Sequence, residues 1–257
     1  MNAEEESADD YAVRHHADGT HPGRQAPGRP RLTVAVLTYR RNAYLAELLP
    51  LLLAQAGQIG QEACARVLVV DNDPRAGAAA VVAEAAEAAG AAGAAAGAGP
   101  RPVHVHEPVP GIVAGRNRAL RECGDQDLLV FIDDDELPRE GWLRALVAAW
   151  REHGCAAVTG PTPPVYERPP DVWVAASGAF DSWRADDGAR VPSADTGNLL
   201  LDLAVVRGLG LRFDPRYGLS GGEDSLFTRS LTLAGATIRF ATGAVVDKRV
   251  PPGRATR

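Results

Sequence analysis

The chain has 257 residues, 46% of them in the hydrophobic class, which is enough for one sizeable α/β domain and at most a small second one. Much of that apolar fraction is alanine, so the core is leaner than the percentage suggests. The formal net charge of -6 divides unevenly: residues 1–30 hold six acids and three bases, leaving a body close to neutral, and no basic stripe with interleaved aromatics points to nucleic acid.

Three cysteines, Cys64, Cys123 and Cys155, are far apart, odd in number and without a CxxC pair. That pattern predicts a reduced, cytoplasmic protein rather than a disulfide or zinc framework. The first thirty residues hold no apolar segment of signal-peptide length, and no later run approaches the ~20 residues that a membrane helix needs. The expectation is a soluble chain, with peripheral attachment to a membrane left open.

Residues 1–30 are rich in Glu, Asp, His, Gly and Pro and lack periodicity, so they read as a disordered tail, and its His15, His16 and His21 as incidental. Folded structure is expected from Arg31. Leu32 to Leu37 is a strand, and Thr38-Tyr39-Arg40-Arg41-Asn42 turns into a helix whose Leu45, Leu48, Leu49 and Leu52 recur at helical spacing. A second strand, Val67 to Val70, ends in Asp71-Asn72-Asp73-Pro74. From Ala76 to Gly99 the residues are nearly all Ala and Gly: the first half is helix-compatible, and Gly90, Gly93, Gly97 and Gly99 predict a flexible connector for the second.

Val103 to His106 is a third strand, followed by a helix carrying Arg116, Asn117 and Arg118. Next, the apolar run Leu128 to Ile132 reads as a strand buried on both faces, and four acids, Asp133, Asp134, Asp135 and Glu136, stand where it ends. Carboxylates clustered at a strand's carboxyl end repel one another unless a cation or a metal-bound polyphosphate neutralises them, which points to a divalent-metal site for a phosphorylated ligand. An EF-hand loop from Asp133 fails, because its fifth and twelfth positions are Leu137 and Arg144.

After Pro138, the positions Trp142, Leu143, Leu146, Val147 and Trp150 form one helical stripe, and Ala156–Val158 is a short strand. Pro161, Pro163, Pro164, Pro169 and Pro170 then predict irregular chain, which with Trp173, Phe180 and Trp183 is suited to shaping a binding cleft. Thr196-Gly197-Asn198 leads an apolar stretch to Leu203. Paired glycines, Gly221 and Gly222, precede Glu223 and Asp224 at the start of a helix with Leu226, Phe227, Ser230, Leu231 and Ala234 on one face.

An ordered set of segments, VAVLTYRRN at 34–42, VVDN at 69–72, GIVAGRNRAL at 111–120, FIDDDELPREGWL at 131–143, TGNLL at 196–200 and GGED at 221–224, resembles the family 2 glycosyltransferases over essentially all of residues 31–257. The resemblance implies a GT-A, Rossmann-like α/β fold with a mostly parallel central sheet flanked by helices. It divides the domain into a nucleotide-binding half, 31–135, and an acceptor-binding half, 136–257. It also implies that Thr38 and Tyr39 lie under the nucleotide base with Arg41 in the same loop, that Asp71 contacts base or ribose, and that Arg116, Asn117 and Asn198 lie on the donor side. The DxD motif falls on Asp133, near the ribose and the second metal candidate, and Asp135, a ligand of Mg2+ or Mn2+, while strand alternation turns Asp134 to the opposite face. The ED pair falls on Glu223 and Asp224, with the aspartate as general base. Many relatives carry a histidine near Asp247 or Lys248, before a segment like Val250-Pro251-Pro252, so either Asp247 replaces it as a metal ligand or the site lacks that ligand.

The activity so implied is inverting transfer of a sugar from a nucleotide-diphosphate sugar to an acceptor hydroxyl, the acceptor being a saccharide, a lipid-linked or a small molecule. Its chemistry suits these residues, since a metal would stabilise the departing diphosphate and a carboxylate must take the hydroxyl proton. Two other readings are a nucleotide-sugar-binding module without turnover, and a haloacid-dehalogenase-like phosphatase. The phosphatase expects Thr or Val where Leu137 stands and leaves GGED unexplained.

Overall fold

A computed structural model describes residues 28–96, 99–178, 180–218 and 221–255. Nearly all of the tail expected at 1–30 therefore lies outside the described residues. Alternation of strand and helix fills the first half: β1 (Arg31–Thr38), α1 (Asn42–Gln58), β2 (Cys64–Asp71), α2 (Ala79–Ala96), β3 (Pro102–His106), α3 (Ile112–Glu122) and β4 (Leu128–Asp133). The second half is more broken. It runs β5 (Glu136–Pro138), α4 (Trp142–His153), β6 (Ala157–Thr159), β7 (Pro164–Tyr166), α5 (Val172–Ser177), β8 (Arg190–Val191), β9 (Asn198–Asp202), α6 (Leu203–Gly208), a 3-10 turn at Pro215–Tyr217, α7 (Glu223–Leu233), β10 (Ile238–Phe240), β11 (Val246–Val250) and α8 (Pro252–Ala255).

The main sheet has the order β3-β2-β1-β4-β9-β6-β10-β8. Its first four strands are parallel, with Leu37 opposite Asp133 and Thr38 opposite Asp71, so all of their carboxyl ends meet at one edge. Strand β9 then runs antiparallel between β4 and β6. Chain order reverses at β1, whose neighbours are β2 on one side and β4 on the other. In an open α/β sheet such a reversal leaves a crevice beyond the strand ends, and ligands bind there.

Two apolar layers cover the sheet. On β4, Leu128, Val130 and Ile132 pack with α1 and α4, while Leu129 and Phe131 face the layer that contains Phe213 and Phe227. This is the two-sided burial that five consecutive apolar residues imply, since strand side chains alternate between faces.

Three local expectations need correcting. Helix α2 continues to Ala96 through Gly90 and Gly93, because alanine favours helix and isolated glycines lower stability without forbidding the conformation. The proline-rich segment is not wholly irregular. Pro164 opens β7 at its first position, where a missing N–H is tolerated, and the Lys248 N–H donates to the Pro163 carbonyl at 2.9 Å. On α7 the buried face is Glu223, Phe227, Thr228 and Leu231, whereas Leu226 is exposed.

A second sheet, β5-β11-β7, closes over the acidic turn. Its pairing sets Lys248 opposite Glu136 and Asp247 opposite Leu137. Among the described residues, no helix is long and apolar enough to cross a membrane.

The cysteines are all free: Cys64 is exposed and Cys123 and Cys155 are buried. Burial pushes the Cys123 thiol above its ordinary pKa and that of Cys155 up to about 11. A disulfide-exchange reagent at pH 8 should therefore titrate one thiol quickly in the native chain and three after denaturation. Rapid loss of a second thiol would show that the buried layer opens on the reagent's timescale.

Candidate active site

The edge where β1, β2 and β4 end carries a cleft of about 720 Å³. Its walls include Thr38, Tyr39 and Arg41 from the loop after β1, Asn72 after β2, the turn Asp133–Asp135 after β4, Gly221 and Glu223 at the start of α7, and Lys248 on β11. Residues from five separate segments thus meet where the strand order reverses.

Strand β4 stops at Asp133, so strand alternation no longer sets the direction of the next side chain, and Asp134 stays on the cleft side. Its carboxylate accepts hydrogen bonds from Thr38 Oγ1 at 2.9 Å and Arg41 Nη1 at 2.8 Å. The same Arg41 Nη1 reaches Asp135 Oδ2 at 3.0 Å. One guanidinium therefore bridges two neighbouring carboxylates that would otherwise repel. Burial still pushes the Asp134 carboxyl above its ordinary pKa, against the pull of Arg41 and Thr38. Arg40, between Tyr39 and Arg41, holds a left-handed φ of 57° and lies over the Tyr39 ring.

Below this turn, Glu136 is fully buried. Burial, with the Asp133 charge adding to it, pushes its carboxyl up to about 8. Two donors face it, Lys248 Nζ at 3.2 Å and the Asp133 N–H at 3.2 Å. For Lys248, burial disfavours the ammonium, but Glu136, Asp133 and Asp135 outweigh it and hold the pKa above the ordinary lysine value. Close approach accounts for Gly197: a Cβ on it would stand 2.4 Å from Glu136 Oε1. The pair Glu136–Lys248 was not singled out as a site by sequence reasoning, although Glu136 lies in the acidic run and Lys248 beside the position where relatives carry a histidine. The missing signal is the pairing of β11 with β5, which no local pattern reports.

At the opposite wall, Arg116 and Glu223 are both almost fully buried and form an ion pair. Phe213 fixes them in place, stacked on Phe227 at 4.2 Å, edge-on to Phe131 at 5.8 Å and beneath the Arg116 guanidinium at 5.6 Å. Only one oxygen of Glu223 is used: Oε2 is buried without a hydrogen-bond partner, in a residue that lines the cleft. Asp224, the next residue, is half-buried at the helix N-terminus, and its Oδ1 accepts the Ser225 N–H at 2.7 Å. Asp224 is not among the residues lining the nucleotide-sized cleft.

Besides Arg116 and Asp224, four more expected site residues do not line the cleft. Asp71 is fully buried, and its carboxylate accepts from the N–H groups of Asp73 at 3.0 Å and Ala78 at 2.8 Å, with His104 Nε2 at 3.2 Å. It shapes the loop, while its neighbour Asn72 reaches the cleft and ties it to the Glu107 and Val109 carbonyls. Asn117 both donates to and accepts from the Phe213 backbone, at 2.8 and 3.1 Å. Asn198 accepts from the Trp142 indole at 2.8 Å and donates to the Ala244 carbonyl at 2.7 Å. Asp247 lies on the face of β11 away from Lys248 and is gripped by Arg139 at 2.7 Å, so Lys248 and not Asp247 reaches the cleft. A metal-ligand role for Asp247 does not fit that placement.

Among the described residues, no three His, Cys, Asp or Glu side chains form a group that could hold a metal ion. Asp133 and Asp135 nevertheless present two hard carboxylates to one cleft. That donor set fits Mg2+ or Mn2+ as these ions are held beside nucleotides, by one or two carboxylates with substrate phosphates completing the shell.

An eight-stranded α/β sheet with its cleft at the reversal and acids after the fourth strand defines a GT-A transferase framework. The family model "Glycosyl transferase family 2" matches residues 33–190, more than half of the chain, and the chain belongs to that family. The succinoglycan biosynthesis protein ExoM of Rhizobium meliloti (strain 1021) is 34% identical over 235 residues, covering 88% of this chain and 69% of its own. Among solved structures, the mannosyltransferase PcManGT from Pyrobaculum calidifontis, in complex with GDP-Man and Mn2+, is similar with a TM-score of 0.63 at 21% identity, covering 89% of this chain and 59% of that one. TarS 1-349 of S. aureus in complex with UDP-GlcNAc gives 0.60 at 17% identity, covering 88% and 60%. The chain thus spans about six-tenths of each of these solved chains, and at such identity they report the fold.

The buried ion pair makes a strong stability prediction. Arg116→Met should cost about 3–5 kcal/mol, because it strands the Glu223 charge in the interior. Thermal melts should show a large drop, partly recovered when Glu223→Leu is added. No drop in the single variant would mean that the Glu223 carboxylate reaches water.

Proposed function

We infer that this chain transfers a sugar from a nucleotide-diphosphate sugar to an acceptor hydroxyl by a single displacement that inverts the anomeric carbon. The observation that carries the reading is the meeting, in one cleft at the strand reversal, of the Thr38–Arg41 segment, three cleft-facing carboxylates at the end of β4 and a carboxylate-bearing helix start at α7. The similarity to ExoM, to a mannosyltransferase bound to GDP-Man and to TarS bound to UDP-GlcNAc supports it.

In this reading Tyr39, half-exposed on the cleft wall, offers its ring to the base, and Asn72 anchors the loop that borders it. Arg41 and Lys248 supply positive charge beside the diphosphate. Asp133 and Asp135 would hold Mg2+ or Mn2+, which when bound supplies Lewis-acid charge for the departing diphosphate. Glu223 Oε2 accepts a hydrogen bond from the donor sugar, its other oxygen being held by Arg116. Asp224 takes the acceptor proton. It is the carboxylate of the pair that is not buried in an ion pair, so it can exchange a proton with a bound hydroxyl.

A thermal-shift panel of nucleoside diphosphates with and without Mn2+ tests the donor class, since a ligand that binds only the native state raises the melting temperature, the more so the tighter it binds. Asp135→Asn keeps the size but removes the charge, so metal-dependent diphosphate binding should weaken more than tenfold, about 1.4 kcal/mol. Calorimetry showing unchanged affinity in Mn2+ would move the metal to Asp133 alone.

A base acts on the transition state and hardly on the bound donor. Asp224→Asn should therefore leave nucleotide affinity nearly intact while transfer slows on the order of 10²–10⁴. Equal loss of both would make Asp224 a donor ligand, and full transfer would pass the role to Glu223. A product with retained anomeric configuration, read by NMR, would sink the single-displacement mechanism.

A further inference from the structure

Apart from the nucleotide cleft there is a smaller hollow of about 110 Å³, bounded by Thr162, Trp183, Ser193, Asp195 and Ser225. The nucleotide cleft uses neither Trp183 nor Asp195. Trp183 is 55% exposed, so a large aromatic side chain at this hollow is left partly open to solvent. Its chain segment is nevertheless held in place: the Thr162 N–H donates to Ser182 Oγ at 2.8 Å, and that hydroxyl lies 3.2 Å from the Trp183 carbonyl.

The opposite wall is pinned to the catalytic helix. Thr228, fully buried on α7, accepts the Ala194 N–H at 3.1 Å, and its hydroxyl lies 2.8 Å from the Asp224 carbonyl. Asp195 therefore stands one residue from a clamp on α7, and Ser225 one residue from Asp224. Desolvation pushes the Asp195 carboxyl above its ordinary pKa, with Asp224 the next contribution and Lys248, Asp133 and Arg116 all within electrostatic reach. Asp195 thus shares its electrostatic surroundings with Asp133 and Lys248 of the nucleotide cleft and with the proposed base.

A flat aromatic face, a carboxylate and several hydroxyls around a shallow hollow match one ligand chemistry. A pyranose ring has an apolar C–H face that lies on an indole, and hydroxyls at its rim that a carboxylate accepts from. A phosphate would meet Asp195 and Asp224 as like charges. A lipid tail would bury Asp195 without a hydrogen-bond donor, at a desolvation cost.

We propose that this hollow seats the acceptor, and that the acceptor's reacting end is a sugar ring stacked on Trp183 with its hydroxyls held by Asp195. The assignment rests on the transferase reading above. Both residues bind and orient the acceptor, and Asp224 remains the base.

Maltose, cellobiose, lactose and decyl phosphate serve as probes, titrated by calorimetry and saturation-transfer NMR against the full chain, with and without the nucleoside diphosphate found by thermal shift. At least one disaccharide should bind. Trp183→Leu, which keeps apolar area but removes the aromatic face, should weaken it at least tenfold; Trp183→Phe should restore most of the loss; Asp195→Asn should weaken it about tenfold. Nucleoside diphosphate affinity should be unchanged in all three variants, and circular dichroism confirms that each is folded. Disaccharide binding that survives Trp183→Leu, or no disaccharide binding at all, overturns the proposal. Decyl phosphate binding that survives Trp183→Leu, with no disaccharide bound, identifies a lipid acceptor instead. If nucleoside diphosphates fail to bind while disaccharides do, the donor reading fails and the sugar site stands.

Discussion

Four acidic side chains in consecutive positions, Asp133 to Glu136, crowd this strand end, where two cations are set against them and burial resists the ionisation of Glu136. At ~4 Å, like charges near a protein surface repel by roughly 4 kcal/mol, so the arrangement depends on where those cations come from. Arg41 arrives from the loop after β1 and spans Asp134 and Asp135, while Lys248 arrives from β11 and meets Glu136. The two differ in kind. Arg41 keeps 44% of its side-chain surface in solvent, so salt and water screen its contacts, whereas Glu136 has none exposed and feels Lys248 through protein.

That difference gives the turn a firm floor and an adaptable roof. Glu136 is fixed from three sides, by Lys248, by the Asp133 N–H and by the absence of a side chain at Gly197. Asp135 above it, with a screened partner, faces the cleft where phosphate chemistry is proposed. At the far wall an ion pair again does the fixing, since Arg116 holds one oxygen of Glu223 and leaves the other without a hydrogen-bond partner.

Much of this was legible in the sequence, for a definite reason. Leu128 to Ile132 could only be a strand covered on both faces, and acids after such a strand lie at a sheet edge. Leu45, Leu48, Leu49 and Leu52 marked the buried side of α1 by their spacing alone. Residues whose role depends on a partner far along the chain were less legible. Asp71, Asn117 and Asn198 carry polar groups suited to a nucleotide, but each is consumed by backbone or indole partners that only the folded chain supplies. Asp247 and Lys248 differ by one position, and on a strand one position decides which face a side chain takes. Register with β5, not composition, sends Lys248 into the cleft and Asp247 to Arg139.

Strand β11 has a bearing on how the chain matures during synthesis. Lys248 meets Glu136 across a sequence separation of 112 residues. A ribosome adding about 5–20 residues per second emits Glu136 several seconds before the lysine that compensates it. Throughout that interval the four-strand parallel half can assemble, but its acidic end has no counterion at Glu136, and the carboxyl stays protonated or in water. The cleft is therefore among the last features of the molecule to form. A nascent chain carries a nearly finished scaffold before it carries a working site.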